Sequence, residues 1–205
     1  MRFALGVVML GCLGANLAAC NDGSEDADLA ALRALVAAAG DIDYEPLRSP
    51  ADAVQQADVI VLGEVVGATL ASHVTDAASN RETRYIILTV AIRTVLSGVL
   101  SEPGGTVAYV ALRAAGIDPA VEIEEAVPKV RTLLVLDDRS DWEPRGNLEG
   151  FPELFYEPFT DGAWFETGDT FEGLWVERDD LQGRWGETIE SLDDLAQLID
   201  VAARQ

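Results

Sequence analysis

The chain has 205 residues, 36 of them acidic and 14 basic, and its formal net charge is −22 with the single histidine neutral. This acid excess argues against nucleic-acid binding and against electrostatic attraction to anionic lipid, because both need clustered cations. The only cysteines, Cys12 and Cys20, lie in the first 20 residues, which excludes a disulfide scaffold and a cysteine-based zinc site in the folded part. One histidine argues against a catalytic triad or a multi-histidine metal site.

Residues 1–19 have the pattern of a signal peptide, with one arginine before an apolar run and small residues after it. The residues Leu17-Ala18-Ala19-Cys20 resemble the lipobox of bacterial lipoproteins, which are cut before the cysteine that is then acylated. The resemblance implies lipidation at Cys20, a bilayer anchor, and an extracytoplasmic, lipid-anchored location in the cell envelope. An ordinary signal peptide or an uncleaved anchor is the alternative interpretation.

Residues 20–28 are polar and acidic, and they predict a short tether. Residues 29–57 predict two helices with a linker between them, the first ending at Gly40. The second helix follows Ser49, whose hydroxyl can cap free amides, and Pro50 suits its first position. We expect this second helix to end near residue 57.

Residues 58–136 change to a period of two and predict the β core. The polar stretch 72–84 is predicted to be a loop between the first two strands, and residues 118–126 are predicted to form a short helix. The four predicted strands are Val59–Leu70, Tyr85–Leu96, Thr106–Leu112 and Val130–Leu136.

Three stretches, 57–65, 85–98 and 130–136, resemble those of uncharacterised bacterial secreted proteins with OB-like or netrin-like β-barrels. The resemblance covers about 80 residues and implies a mostly β fold with a minor helical part. The expected architecture is a small OB-like antiparallel barrel with flanking helices and a C-terminal helix. The inhibitor role of some netrin-like modules is not carried over, because that role uses a free N-terminal cysteine and Cys20 would be acylated.

Residues 137–205 are expected to be an acidic, aromatic-rich extension that completes the same domain. They contain 19 acids, 5 arginines and 10 of the 14 aromatic residues. Strand-like pieces occur near 163–165 and 170–176. Ser191 is the expected cap of a final helix that runs to about residue 203.

The tryptophans of this extension are the candidate ligand surface, since flat aromatic rings beside acidic hydrogen-bond partners suit sugars or peptides. The alternative is that these rings anchor a loop-rich segment to the barrel. The four candidates are Trp142, Trp164, Trp175 and Trp185.

Three other features each have two interpretations. His73 is expected to be a solvated loop residue rather than a ligand. Glu64, inside an apolar strand, is either partly buried with a raised pKa or at a rim where it reaches water. The acidic residues 137–141 are either a Ca²⁺ site or a solvated turn, and they lack the spacing of an EF-hand loop.

These observations assign no catalytic, cofactor-binding or metal-binding residue. The leading hypothesis is a monomeric, membrane-anchored lipoprotein that acts as a non-catalytic binding or interaction module for an unknown envelope protein or small ligand. One alternative is a carboxylate-based enzyme or a Ca²⁺-dependent carbohydrate binder. The other is a passive, acidic, halotolerant surface protein.

Overall fold

The computed structural model describes residues 22–37, 46–76, 81–114, 123, 127–142, 147–186 and 188–205. Within these ranges the chain forms seven strands and four helices. In chain order they are α1 (Asp22–Ala37), α2 (Pro50–Gln56), β1 (Val59–Asp76), β2 (Arg81–Gly98), β3 (Val107–Ala114), β4 (Arg131–Asp138), β5 (Asn147–Glu149), β6 (Tyr156–Thr167), β7 (Thr170–Gly173), α3 (Arg178–Trp185) and α4 (Leu192–Ala203).

Five of the strands close into a ring in the order β1-β2-β3-β6-β4, with β4 returning to β1. The pairs within the ring are antiparallel except for β3 and β6, which are parallel. β5 pairs with residues near the C-terminal end of β1, which we call its outer half, and β7 pairs with β6. The predicted mostly β class with flanking helices and a C-terminal helix is confirmed, and the sheet is mixed rather than purely antiparallel.

The β1–β2 hairpin is longer than the sequence predicts. The stretch 72–84, expected to be a loop, continues the ladder on both sides, with Ser72 opposite Arg84 and His73 opposite Thr83. β5 pairs with the same part of β1. Pairing with β5 therefore helps to keep these polar residues in a strand, although their own sequence does not predict one.

Apolar side chains divide into an inner and an outer core. The inner core fills the ring and takes alternate residues of the strands, such as Ile86, Leu88 and Val90 of β2. α1 packs on this core through Leu29 and Leu32. The outer core lies between the sheet and helices α2, α3 and α4, and a smaller aromatic cluster covers the outer side of β2 and β3.

Helices α2 and α4 begin directly after the serine caps that the sequence predicts. The Ser49 hydroxyl accepts a hydrogen bond from Asp52 N, and Ser191 forms a capping box with Asp194, as the sequence predicts. α1 begins at Asp22 and so includes most of the predicted tether. α3 was not predicted, because its sequence RDDLQGRW is polar apart from Leu181 and Trp185, which are both buried.

Several sequence-based expectations fall outside the described residues: the signal peptide and lipobox, the stop at Gly40, and most of the helix at 118–126. In the part of the chain that the structure describes, no helix has the length and apolar character needed to span a membrane.

Candidate functional site

The ring has its shortest strand pairing between β3 and β6, which run parallel. We call this place the seam. The only paired residues of these two strands are Val110 and Tyr156. Pro158 follows in β6, and proline has no N–H to donate to a neighbouring strand. Beyond it β6 bulges, since Leu136 of β4 pairs with Pro158 while Leu134 pairs with Ala163. The strands therefore separate just after their single point of pairing.

A cleft of about 520 Å³ occupies this seam. Its volume lies in the usual range for ligand sites, about 300–1,000 Å³. Strands β2 and β3 supply one wall, and the start of β6 with the end of β4 supplies the other. The cleft is lined by Gln56, Tyr85, Ala111, Arg113, Asp137, Arg139, Glu157, Pro158, Phe159, Thr160 and Trp175.

Charges in the cleft are balanced, although the molecule as a whole is strongly acidic. The Arg139 guanidinium contacts Asp137 Oδ2 at 3.0 Å and Glu157 Oε2 at 2.8 Å. Arg113 is exposed on the β3 wall and makes no ion pair or hydrogen bond with any residue that the structure describes. Two cations therefore face two acids, and one of the cations retains its hydrogen-bond donors.

Burial controls the protonation of two groups in the cleft. Burial, and then the Glu157 carboxylate, raise the pKa of Tyr85, against the opposing effect of Arg113 and Arg139. Burial also raises the pKa of Asp137, and a hydrogen bond with the Asp58 carboxylate adds to this effect. Tyr85 therefore keeps its hydroxyl proton at neutral pH and can donate it to a ligand.

Beside the cleft, the polar side chains of Ser101, Asp138 and Tyr156 form a hydrogen-bonded cluster at the seam. Ser101 Oγ lies 2.5 Å from Asp138 Oδ2 and 2.8 Å from the Tyr156 hydroxyl, which also accepts from Ser101 N at 2.8 Å. Burial opposes ionisation of Asp138, but hydrogen bonds from Ser101 and Ser140 prevail and lower its pKa. Tyr156 is thus held in place at the single point where β3 meets β6.

The four candidate tryptophans do not share one surface. Trp164 is 1% exposed and donates Nε1–H to Asp161 O at 3.0 Å. Trp185 is 9% exposed and donates to Leu47 O at 3.1 Å. Both belong to the outer core, as the alternative interpretation expects. Of the four, only Trp175 lines the cleft, where it is partly buried.

Trp142 lies elsewhere, in the aromatic cluster over β2 and β3. Its ring meets that of His73 edge to face, with centroids 5.3 Å apart. His73 is 7% exposed and lies in β1, so the expectation of a solvated loop histidine was wrong. The strand pairing of β5 and the packing of Trp142 bury it.

The other acidic candidates lie in two different places. The Glu64 side chain is 41% exposed and pairs with Arg93 at 2.6 Å, so it reaches water at the sheet surface. Asp137 and Asp138 are the last two residues of β4 and are half-buried, so they do not belong to a solvated turn. Asp137 lines the cleft, and Asp138 accepts a hydrogen bond from Ser101 at the seam. Among the described residues, no group of three or more His, Cys, Asp or Glu side chains is arranged to hold a metal ion.

Sequence reasoning singled out Trp175 and the acidic stretch that contains Asp137, but it missed other residues that line the cleft, chiefly Tyr85, Arg113 and Arg139. A usable signal was present for the arginines, because cations are scarce in this chain and these two lie at strand ends. Nothing in the sequence, however, indicates that the end of β3 faces the start of β6.

Comparison with known proteins gives no relationship: no family model, no curated protein and no solved structure matches this chain.

Proposed function

We propose that this protein is an extracytoplasmic lipoprotein, anchored through acylated Cys20, that acts as a non-catalytic binding module and holds its ligand in the cleft between β3 and β6. The observation that carries the proposal is the cleft itself. It combines a suitable volume, aromatic side chains and a balanced pair of charges in a molecule of net charge −22.

The cleft chemistry favours recognition of a ligand. Trp175 and Phe159 offer aromatic surface, and Arg113 offers hydrogen-bond donors that no described residue uses. Tyr85 can add a neutral hydroxyl donor. Such a mixture of apolar area and a few directed polar groups is typical of binding sites that fix a ligand's orientation.

Filling the cleft tests this proposal. The acylated protein, purified in detergent, is applied to a peptide library and a glycan array, together with Thr160→Trp and Val201→Trp. Thr160 lines the cleft and Val201 is 49% exposed on α4, so the two variants add the same side chain at different places. We expect Thr160→Trp to lose binding that Val201→Trp retains.

Binding that both variants retain equally would place the ligand outside the cleft, and failure of the wild type to bind any member of either array also contradicts the proposal. Circular dichroism and thermal melting of both variants check that the fold is intact.

The anchor is tested separately. Metabolic labelling with an alkyne fatty acid is expected to modify the wild type and Cys12→Ser, but not Cys20→Ser. The latter is expected to leave the membrane fraction or to remain an uncut precursor. Labelling that persists in Cys20→Ser would contradict the lipoprotein assignment.

A further inference from the structure

Two hydrogen-bond donors lie next to each other on the wall of the cleft that β2 and β3 form. Tyr85 is paired with Arg113 in the β2–β3 ladder, and both side chains line the cleft. Directly opposed residues of antiparallel strands have Cβ atoms about 4.5–5.5 Å apart on the same face of the sheet. One small group of a ligand can therefore contact the Tyr85 hydroxyl and the Arg113 guanidinium together.

Neither donor has a partner within the protein. Tyr85 is 8% exposed, yet its hydroxyl makes no hydrogen bond with any residue that the structure describes. Arg113 likewise makes no hydrogen bond or ion pair within the described ranges. A buried hydroxyl normally has a partner, because leaving one unpaired costs free energy. The unused Tyr85 hydroxyl thus indicates a place where a ligand completes the hydrogen bonding.

The chemistry of these donors specifies an acceptor group. A guanidinium has N–H donors and no acceptor, and a tyrosine hydroxyl is protonated at neutral pH. A carboxylate accepts two parallel hydrogen bonds from a guanidinium. Its remaining lone pairs can accept a third bond from a neighbouring hydroxyl. A carboxylate therefore satisfies Arg113 and Tyr85 at the same time.

The charges of the cleft restrict the ligand to one carboxylate. Arg139 is already occupied by Asp137 and Glu157, which leaves Arg113 as the cation that can pair with a ligand among the described residues of the cleft. At −22 the whole molecule also repels anions of higher charge. A phosphate dianion or a dicarboxylate would bring a second negative charge for which the cleft has no cation.

The rest of the cleft favours an apolar group beside that carboxylate. Phe159 and Trp175 line the cleft and are partly buried, so their rings are accessible to a ligand. Ala111 and Pro158 add smaller apolar surfaces. Flat aromatic rings pack well against aromatic or aliphatic groups. The volume of about 520 Å³ suits a small molecule.

We infer that the cleft binds a small amphipathic acid whose single carboxylate lies on the Arg113 guanidinium and the Tyr85 hydroxyl, and whose apolar part packs on Phe159 and Trp175. This inference rests on the proposed function and names the ligand class for the same site. A peptide with an aromatic terminal residue and a free carboxylate presents the same two groups, so library members of this kind should also bind there.

The test is calorimetric titration of the acylated full chain in a non-ionic detergent, at about 150 mM NaCl so that long-range charge effects are screened. The probes are a panel of aryl and alkyl monocarboxylates, including hydrocinnamate, with propionate as the acid that lacks a large apolar group. The best binder is compared with its primary amide. We expect the amide and propionate each to bind about tenfold more weakly or worse. Titration into detergent alone corrects for partition into micelles.

Variants of the two donors locate the carboxylate. Arg113→Ala should bind the acid and the amide equally, whereas Arg93→Ala, an exposed arginine that pairs with Glu64, should keep the tenfold preference. Tyr85→Phe keeps the ring and its contact with Phe151, and it should weaken acid binding by about three- to tenfold. Its melting temperature should equal or exceed that of the wild type, because the hydroxyl that it removes has no partner in the free protein.

The outcomes separate this inference from the proposed function. Glycans or other neutral molecules that bind and are lost in Thr160→Trp, with no acid of the panel bound, would overturn the inference and leave the cleft as a binding site. Acid binding that is indifferent to amidation, or that Arg113→Ala leaves unchanged, would also overturn it. Acid binding that survives in Thr160→Trp, or no binding of any probe, contradicts both proposals.

Discussion

Asp161 is the residue on which the packing of three segments depends. Its carboxylate is fully buried, and Oδ2 accepts hydrogen bonds from Leu47 N at 2.8 Å and from Arg184 Nη1 at 2.5 Å. Arg184 also donates to Leu47 O at 3.1 Å. Asp161 belongs to the β6 bulge, next to Thr160 in the cleft wall, so the same contacts hold that wall in position.

Loss of this carboxylate should therefore be costly. Asp161→Ala leaves the partly buried Arg184 guanidinium without its carboxylate and the Leu47 N–H without a partner, and we expect a loss of about 3–5 kcal/mol in the free energy of unfolding. Asp200→Ala is the matched control, since it breaks an exposed pair with Arg204 that has the same 2.5 Å separation and should cost under about 1 kcal/mol. Similar losses in urea denaturation of the two variants would contradict this view of Asp161.

Two glycines have nearly the same backbone conformation but differ in how close an added side chain would lie to neighbouring atoms. Gly98 and Gly104 have φ values of +76° and +77°, but a Cβ at Gly98 would lie 1.9 Å from Asp58 O, whereas a Cβ at Gly104 meets nothing within 4 Å. We expect Gly104→Ala to cost about 1–2 kcal/mol for the left-handed conformation alone. Gly98→Ala should cost about 2–3 kcal/mol more, because the backbone must move. Equal losses in chemical denaturation would show that the contact with Asp58 is relieved freely.

At the scale of elements, the helices and strands that the sequence predicts well are those defined by neighbouring residues. Ser49 and Ser191 mark helix starts by local hydrogen bonds, and period two marks β1 and β2. Elements that depend on distant partners were missed or shortened. β5 has three residues and no pattern of its own, and the outer half of β1 becomes a strand because β5 and β2 pair with it.

Helix α4 provides a direct test of whether a capping residue stabilises the helix that follows it. Ser191→Ala removes the hydroxyl that caps Asp194 N, and such losses cost about 0.5–2 kcal/mol in unfolding free energy. Gln197→Ala, an exposed position of the same helix, is the control and should be neutral or slightly stabilising. A destabilised control, or an unaffected Ser191→Ala, would contradict the capping account.

The substitution Ser191→Ala should also change the pKa of Asp194. Hydrogen bonds from Ser191 lower the pKa of Asp194 below its ordinary value of 3.8. Because the folded pKa lies below the unfolded one, this contribution is present above about pH 3.8 and is lost as the pH falls through the folded value. In Ser191→Ala we expect the Asp194 pKa, followed by carboxyl NMR, to rise toward 3.8. An unchanged Asp194 pKa would assign the shift to other groups.

For the whole molecule, the candidate site was less predictable than the fold class. The sequence directed attention to tryptophans, and two of the four are core residues, because large aromatic rings stabilise packing as readily as they bind ligands. The cleft exists because the ring closes at a single parallel contact, between Val110 and Tyr156. That pairing joins residues 46 positions apart, and no local pattern encodes it.

Net charge leads to a prediction for the whole chain. At −22, self-repulsion destabilises the compact state, and salt screens it. We expect the melting temperature to rise as NaCl increases from about 10 to 500 mM, where the Debye length falls from about 30 Å to a few Å. Sucrose serves as an uncharged control. A melting temperature that is flat in salt would contradict dominant self-repulsion and, with it, the halotolerant alternative.

The central claim is that the ligand lies in the cleft between β3 and β6. The most direct measurement is site-specific photo-crosslinking in intact cells, with benzoylphenylalanine at Thr160 in the cleft wall or at Val201 on α4. Our account predicts a discrete adduct from Thr160 that is absent from Val201 and that disappears when Arg113→Glu is added. No adduct at Thr160, or the same adducts from both positions, would contradict it.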